Sequence, residues 1–183
     1  MGYGNAIQKA WEELKNAVDG PVDPVRLMAD TYSVNIEKEE VFSDSCNVPA
    51  KDRERVLILH YLARKAKGLP GVSGDWVSFR QLEGGDGYYP AFKKRVLDRI
   101  ARKHGTKPET LLDVVERFRA KRAQVGDVSV VLEPFDGIPV LVTLQRGDDE
   151  FGPEANVLFD RNISAIFCTE DVVVLSELIS ASI

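Results

Sequence analysis

Residues 126–145 read GDVSVVLEPFDGIPVLVTLQ, and this stretch decides the fold class. Two apolar, β-branched runs, 128–135 and 138–145, flank the dipeptide Asp136-Gly137. An Asp-Gly pair between such runs is a strong short-range signal for a β-hairpin. The first arm is almost continuously apolar, which predicts a strand covered on both faces. Towards the C-terminus an acidic loop, RGDDEFGPEAN, leads to a short VLFD strand. A final apolar helix then opens at Thr169-Glu170-Asp171, where acids suit the positive end of a helix.

The chain before Gly126 is helix-rich. Ile7, Ala10, Trp11, Leu14 and Val18 repeat at helical spacing from Asn5 to Asp19, and Gly20-Pro21 closes the run. Asp23-Pro24 predicts a short second helix over Val25 to Asp30. Tyr32, Val34 and Ile36 alternate with polar neighbours and predict a strand running towards Phe42, with a loop over Ser43 to Asn47. Pro49 starts a strong helix that Gly68 ends. A strand is predicted from Asp75 to Leu82, a helix from Pro90 to His104, and another from Thr106 through Phe118. No linker, repeat or low-complexity segment interrupts the chain. The reading is one α+β domain over residues 1–183, its helix-rich first two-thirds packed with a small, mostly antiparallel sheet that includes the C-terminal hairpin.

Composition narrows the class further. A chain of 183 residues buries enough surface to fold without staples. Cys46 and Cys168 stand alone, so no zinc ribbon or iron–sulfur cluster is expected, and both are read as buried or semi-buried thiols. No apolar run is long enough to span a bilayer, and the N-terminus lacks a secretory core. Met1-Gly2 is followed by Ala6 where a myristoylation signal needs Ser or Thr. A cytoplasmic location without membrane attachment is therefore expected. Charge is uneven: 18 basic and 9 acidic residues lie between Lys51 and Arg122, against 6 and 20 elsewhere. Two readings stay open, a basic face for an anionic partner and acidic termini folded back on the basic middle.

The segment SGDWVSFRQLEGGDGYYPAFKKR, residues 73–95, carries the leading candidate site. A strand, a glycine-rich loop and a helix follow one another there. Gly84, Gly85 and Gly87 can bring backbone close to a ligand, because glycine adopts positive φ freely. The helix start offers unpaired N–H groups to an anion, Arg80 adds charge, and Tyr88 and Tyr89 can stack on a planar group. The same glycines and tyrosines also fit an ordinary packed turn. The GGDG spacing matches neither nucleotide-binding fingerprint. His60 and Glu154 are weaker candidates for the same pocket. His60 shares a helical stripe with Arg53, Arg64 and Lys67 and has no local carboxylate partner; His104 closes a helix, where a cation suits the dipole. Asp148, Asp149, Glu150 and Glu154 crowd one loop without the order of a calcium-binding loop, so no metal site is assigned. GxSxG, HExxH, CxxC and P-loop patterns are absent, and no catalytic residue is assigned.

The ordered combination LHYLARKAKGLPGVSGDWVSFRQLEGGDGYYPAFKKR, GDVSVVLEPFDGIPVLVTLQRGDDEFGPEANVLFD and TEDVVVLSELI, over residues 56–179, resembles an uncharacterised anaerobe family, the domain of unknown function 3786. Some members of that family carry a cysteine-rich iron–sulfur module similar to that of the corrinoid iron–sulfur protein, which this chain lacks. The resemblance implies a link to anaerobic, corrinoid or one-carbon metabolism and supplies no catalytic residues. The leading expectation is a non-catalytic accessory domain that binds an anionic small molecule or a cofactor. The alternative is an adaptor whose basic middle docks an acidic protein. Nucleic acid is disfavoured by a pI near 5.2 and the lack of a known motif.

Overall fold

A computed structural model of the chain describes residues 3–183, so Met1 and Gly2, on which the myristoylation reading turns, lie outside the described residues. Helix α1 (Gly4–Ala17) buries Ala10, Trp11 and Leu14, the stripe its spacing predicts. Four short strands follow: β1 (Val25–Leu27), β2 (Asp30–Asn35), β3 (Glu40–Ser43) and β4 (Val48–Pro49). They pair as an antiparallel meander in chain order. Helix α2 (Asp52–Ala66) starts three residues after Pro49, with the Glu54 side chain accepting from the Lys51 N–H at 3.1 Å.

The chain then gives β5 (Trp76–Ser78), α3 (Gly85–Phe92), a π turn over Lys93–Leu97 and α4 (Asp98–His104). A 3-10 turn over Pro108–Asp113 runs into the short α5 (Val114–Arg117). Strands β6 (Ala120–Ala123), β7 (Val128–Phe135), β8 (Ile138–Gln145) and β9 (Glu154–Asp160) precede the closing helix α6 (Thr169–Ser182). The second sheet has the order β5-β9-β8-β7-β6 and is antiparallel throughout. The chain is thus α+β, with the predicted hairpin at the centre of its larger sheet. Six of the eight β7 residues are buried, which fits a strand covered on both faces. At the turn only Gly137 takes positive φ (76°), and the register shifts between Leu132 and Phe135. On the edge strand β6, exposed Lys121 and Arg122 discourage pairing with another chain.

Several local expectations are corrected. Val25 to Asp30 is not a helix: Val25 pairs with Tyr32 and Leu27 with Asp30, and the Met28 N–H donates to the Pro134 carbonyl at 2.8 Å. Contacts with a distant strand outweigh the local proline signal there. The strand predicted to Leu82 ends at Ser78, where the Gln81 side chain takes the Ser78 N–H at 2.8 Å and turns the chain into a 3-10 segment. The helix predicted from Pro90 begins at Gly85, so Pro90 lies inside it and leaves the Asp86 carbonyl without its helical donor. The cysteines are exposed rather than buried. His104 does close α4, but it is buried; desolvation and then the Lys103 charge lower its pKa, so it serves as a neutral ring and not as a capping cation.

The hairpin ties the layers together. Phe135, fully buried, stacks on Tyr61 of α2 with ring centroids 4.5 Å apart and meets Phe167, just before α6, at 5.8 Å. The Tyr61 hydroxyl donates to the Asp136 carbonyl at 2.9 Å. Arg26 bridges from β1 to the Asp136 carboxylate at 2.8 Å and to the Glu133 carbonyl at 2.6 Å. At the far end of β9, buried Asp160 accepts from Ser73 Oγ, Gly74 N and Asn162 N, pinning the loop before β5.

Candidate functional site

Helix α6 lies against α2 in the opposite direction, as two cross-links show. Arg53 near the start of α2 pairs with Glu177 at 3.1 Å, while His60, seven residues on, pairs with Asp171, six residues back, at 2.8 Å. Beside this helix pair opens a cleft of about 740 Å³, completed by Tyr3 and Ala6 at the start of α1, by Glu83 and Gly84, and by Tyr88 and Arg95. Val56, Leu57, Val173 and Val174 give it apolar walls; the first three are buried and Val174 is half-buried against the core. An apolar concavity with a few convergent polar groups is the usual form of a ligand site.

Arg95 reaches both Glu177, at 3.4 Å, and the Tyr88 hydroxyl, at 3.1 Å. Two guanidinium groups therefore share one carboxylate, leaving a surplus of positive charge at that end. The opposite end is set by Asp171, buried in the first turn of α6, where the helix dipole favours a carboxylate. Asp171 Oδ2 faces Nδ1 of His60, so an ionised Asp171 fixes the ring with its proton on Nδ1. His60 Nε2 has no hydrogen-bond partner among the described residues, and the side chain is 24% exposed in the cleft wall. Burial disfavours the charged ring, but the Asp171 hydrogen bond and the charges of Asp171 and Glu13 outweigh it and raise the His60 pKa. Cys168 stands beside them; local desolvation and the nearby carboxylates of Asp171 and Glu170 push its thiol up to about 12, so it is no thiolate nucleophile at neutral pH. No group of three or more His, Cys, Asp or Glu among the described residues is placed to hold a metal ion.

A folded pKa above the unfolded value means that the His60–Asp171 pair stabilises fully below the unfolded histidine pKa, and that this contribution is lost as pH rises through the folded pKa. Urea unfolding of wild type and Asp171→Asn across about pH 5.5 to 8.5 tests this. The stability difference between the two should shrink as pH rises. A difference that holds level or grows would refute the pairing.

The predicted site residues divide. Gly84, Tyr88 and His60 line the cleft. Arg80 does not: its Nε donates to Asp86 at 2.7 Å and its guanidinium lies over the Tyr89 ring, 5.1 Å from the centroid. Tyr89 is half-buried and stacks towards Phe92, while Gly85 and Gly87 belong to α3. Glu154 begins β9 and acts electrostatically on Lys93, away from the cleft. Arg53, Arg95, Asp171 and Glu177 escape sequence reasoning; the stripe that joins Arg53 to His60 is their only signal, and it names no partner. The acidic termini do fold back on the basic middle, through Glu13 to Lys67 and through Glu177 to Arg53 and Arg95.

The model of the family described as a domain of unknown function (DUF3786) matches residues 14–182, and the chain belongs to that family. No curated protein and no solved structure matches it.

Proposed function

We propose that this DUF3786 chain is a small-molecule-binding accessory domain, and that its ligand lies in the cleft between α2 and α6 with an anionic group at Arg53 and Arg95. The observation that carries the reading is the surplus of one guanidinium charge beside apolar walls in a cavity of ligand size. A bidentate guanidinium suits carboxylate and phosphate alike. A place in anaerobic, corrinoid or one-carbon metabolism belongs to the same proposal and rests on family resemblance alone.

Thermal unfolding of the purified chain with a panel of carboxylate and phosphate cofactors tests the proposal. A ligand at a hundredfold excess over its Kd stabilises by about 2.7 kcal/mol, which for a chain of this size is roughly 5–10 °C in Tm. The shift should be lost in Arg95→Gln. A panel that moves neither protein, or a shift that survives Arg95→Gln and Arg53→Gln together, argues against the cleft.

A second reading, docking of an acidic protein, is favoured by Lys94, Arg99 and Arg102. These are exposed and have no hydrogen-bond partner among the described residues. Salt-sensitive co-purification abolished by their triple substitution with glutamine would support it.

A further inference from the structure

The cleft has a second charged end, and it is opposite in sign. Glu83, Glu170 and Asp171 line it there, against the single base His60. The Glu83 backbone carbonyl is held by Thr169 Oγ1 at 2.7 Å, which fixes this residue beside the start of α6. A helix start attracts anions, but here Glu170 and Asp171 already occupy the first turn, so a further anion meets two carboxylates. The two ends are separated by about two helical turns, roughly 10 Å, measured along α2 from Arg53 to His60 or along α6 from Glu177 to Asp171. Apolar side chains of both helices fill the interval.

Resting on the cleft-binding proposal, we infer that the ligand is an elongated zwitterion, with its anionic group at Arg53 and Arg95 and an ammonium group at Glu83, Glu170 and Asp171. A simple anion leaves the acidic end unmatched, and a simple amine leaves the guanidinium surplus unmatched. A dianion meets repulsion at one end. A short amino acid satisfies only one end at a time.

Isothermal titration with 8-aminooctanoate, octanoate, octylamine and 4-aminobutanoate tests the inference. The extended chain of 8-aminooctanoate matches the two-turn separation. It should bind about tenfold more tightly than octanoate or octylamine, the size of one charge-assisted contact, and 4-aminobutanoate should show no such gain. Glu170→Gln, at an exposed position, should bring the 8-aminooctanoate to octanoate ratio towards one. The ratio should also fall on acidification. Protonation of His60 adds positive charge at the end that Asp171 and Glu170 of α6 and Glu13 of α1 surround, with the Cys168 thiol neutral throughout. Equal binding of octanoate and 8-aminooctanoate overturns the zwitterion while leaving the cleft intact as a site for anions. Octylamine binding as tightly as 8-aminooctanoate overturns both the zwitterion and the arginine end. If none of the four binds, the elongated zwitterion is overturned, while the cleft stands or falls on the thermal-shift panel with Arg95→Gln.

Discussion

Replacing Gly85 with alanine is expected to destabilise the protein by about 3 kcal/mol, the upper range for overpacking a filled site. A Cβ on Gly85 would stand 2.0 Å from the Phe79 carbonyl oxygen and 3.1 Å from its carbon. That carbonyl has little room to yield. It accepts the Leu82 N–H at 3.2 Å, the Gly85 N–H in turn donates to the Leu82 carbonyl at 2.9 Å, and the Phe79 ring is stacked on Phe92 at 4.0 Å with planes 2° apart. The neighbouring glycines make internal controls. Gly84 has φ of 69° and open space around it, so Gly84→Ala should cost only about 1–2 kcal/mol for the left-handed backbone. Gly87 lies in α3 with nothing within 4 Å of its Cβ position, so Gly87→Ala should stabilise by about 0.5–1 kcal/mol. Urea unfolding of the three variants gives the order directly. A Gly85→Ala cost below that of Gly84→Ala would show that the Phe79 turn is softer than its hydrogen bonds imply.

That contrast also shows how much of the glycine segment stays hidden when it is read as sequence. Three glycines in four positions suggest a cradle for an anion, yet each glycine has a different reason for being there. One closes a left-handed turn, one admits a carbonyl, and one simply occupies a helix. The carbonyl belongs to Phe79, whose orientation follows from a capping interaction that the chain's periodicity does not encode. The legible parts of the fold are those set by short-range pattern: the β7–β8 hairpin from its Asp-Gly turn, and α1, α2 and α6 from their apolar stripes. β1 is not legible, because it is a strand by virtue of the β2 pairing and of the bond from Met28, the next residue, to Pro134, over a hundred residues away. The partners across the cleft are hidden for the same reason. His60 shows no local carboxylate because its carboxylate is Asp171, and the two are neighbours only once α6 folds back along α2. Even the acids at the start of α6 read as ordinary dipole partners until His60 is placed opposite one of them.

Phe135 is where the fold and the site are joined, and Phe135→Ala should cost about 3–5 kcal/mol, as expected for a fully buried aromatic side chain. Its ring is a wedge between Tyr61, one position beyond His60, and Phe167, one position before the Cys168 cap of α6. The two helices that form the cleft are thus set against the same side chain of the central hairpin. Removing the ring leaves a cavity that Tyr61 can enter only by giving up its hydroxyl bond to the Asp136 carbonyl. A cost of that size shows as a lowered urea midpoint with an unchanged slope. Phe135→Leu keeps more of the volume and should stay folded under conditions where the alanine variant does not. In that milder variant the rise in His60 pKa should diminish, because rotation of α2 or α6 lengthens the contact to Asp171. An NMR titration of the His60 ring resonances measures it. If Phe135→Leu loses stability but leaves the His60 titration unchanged, the wedge supports the core alone, and the spacing of the two helices is set by their own packing.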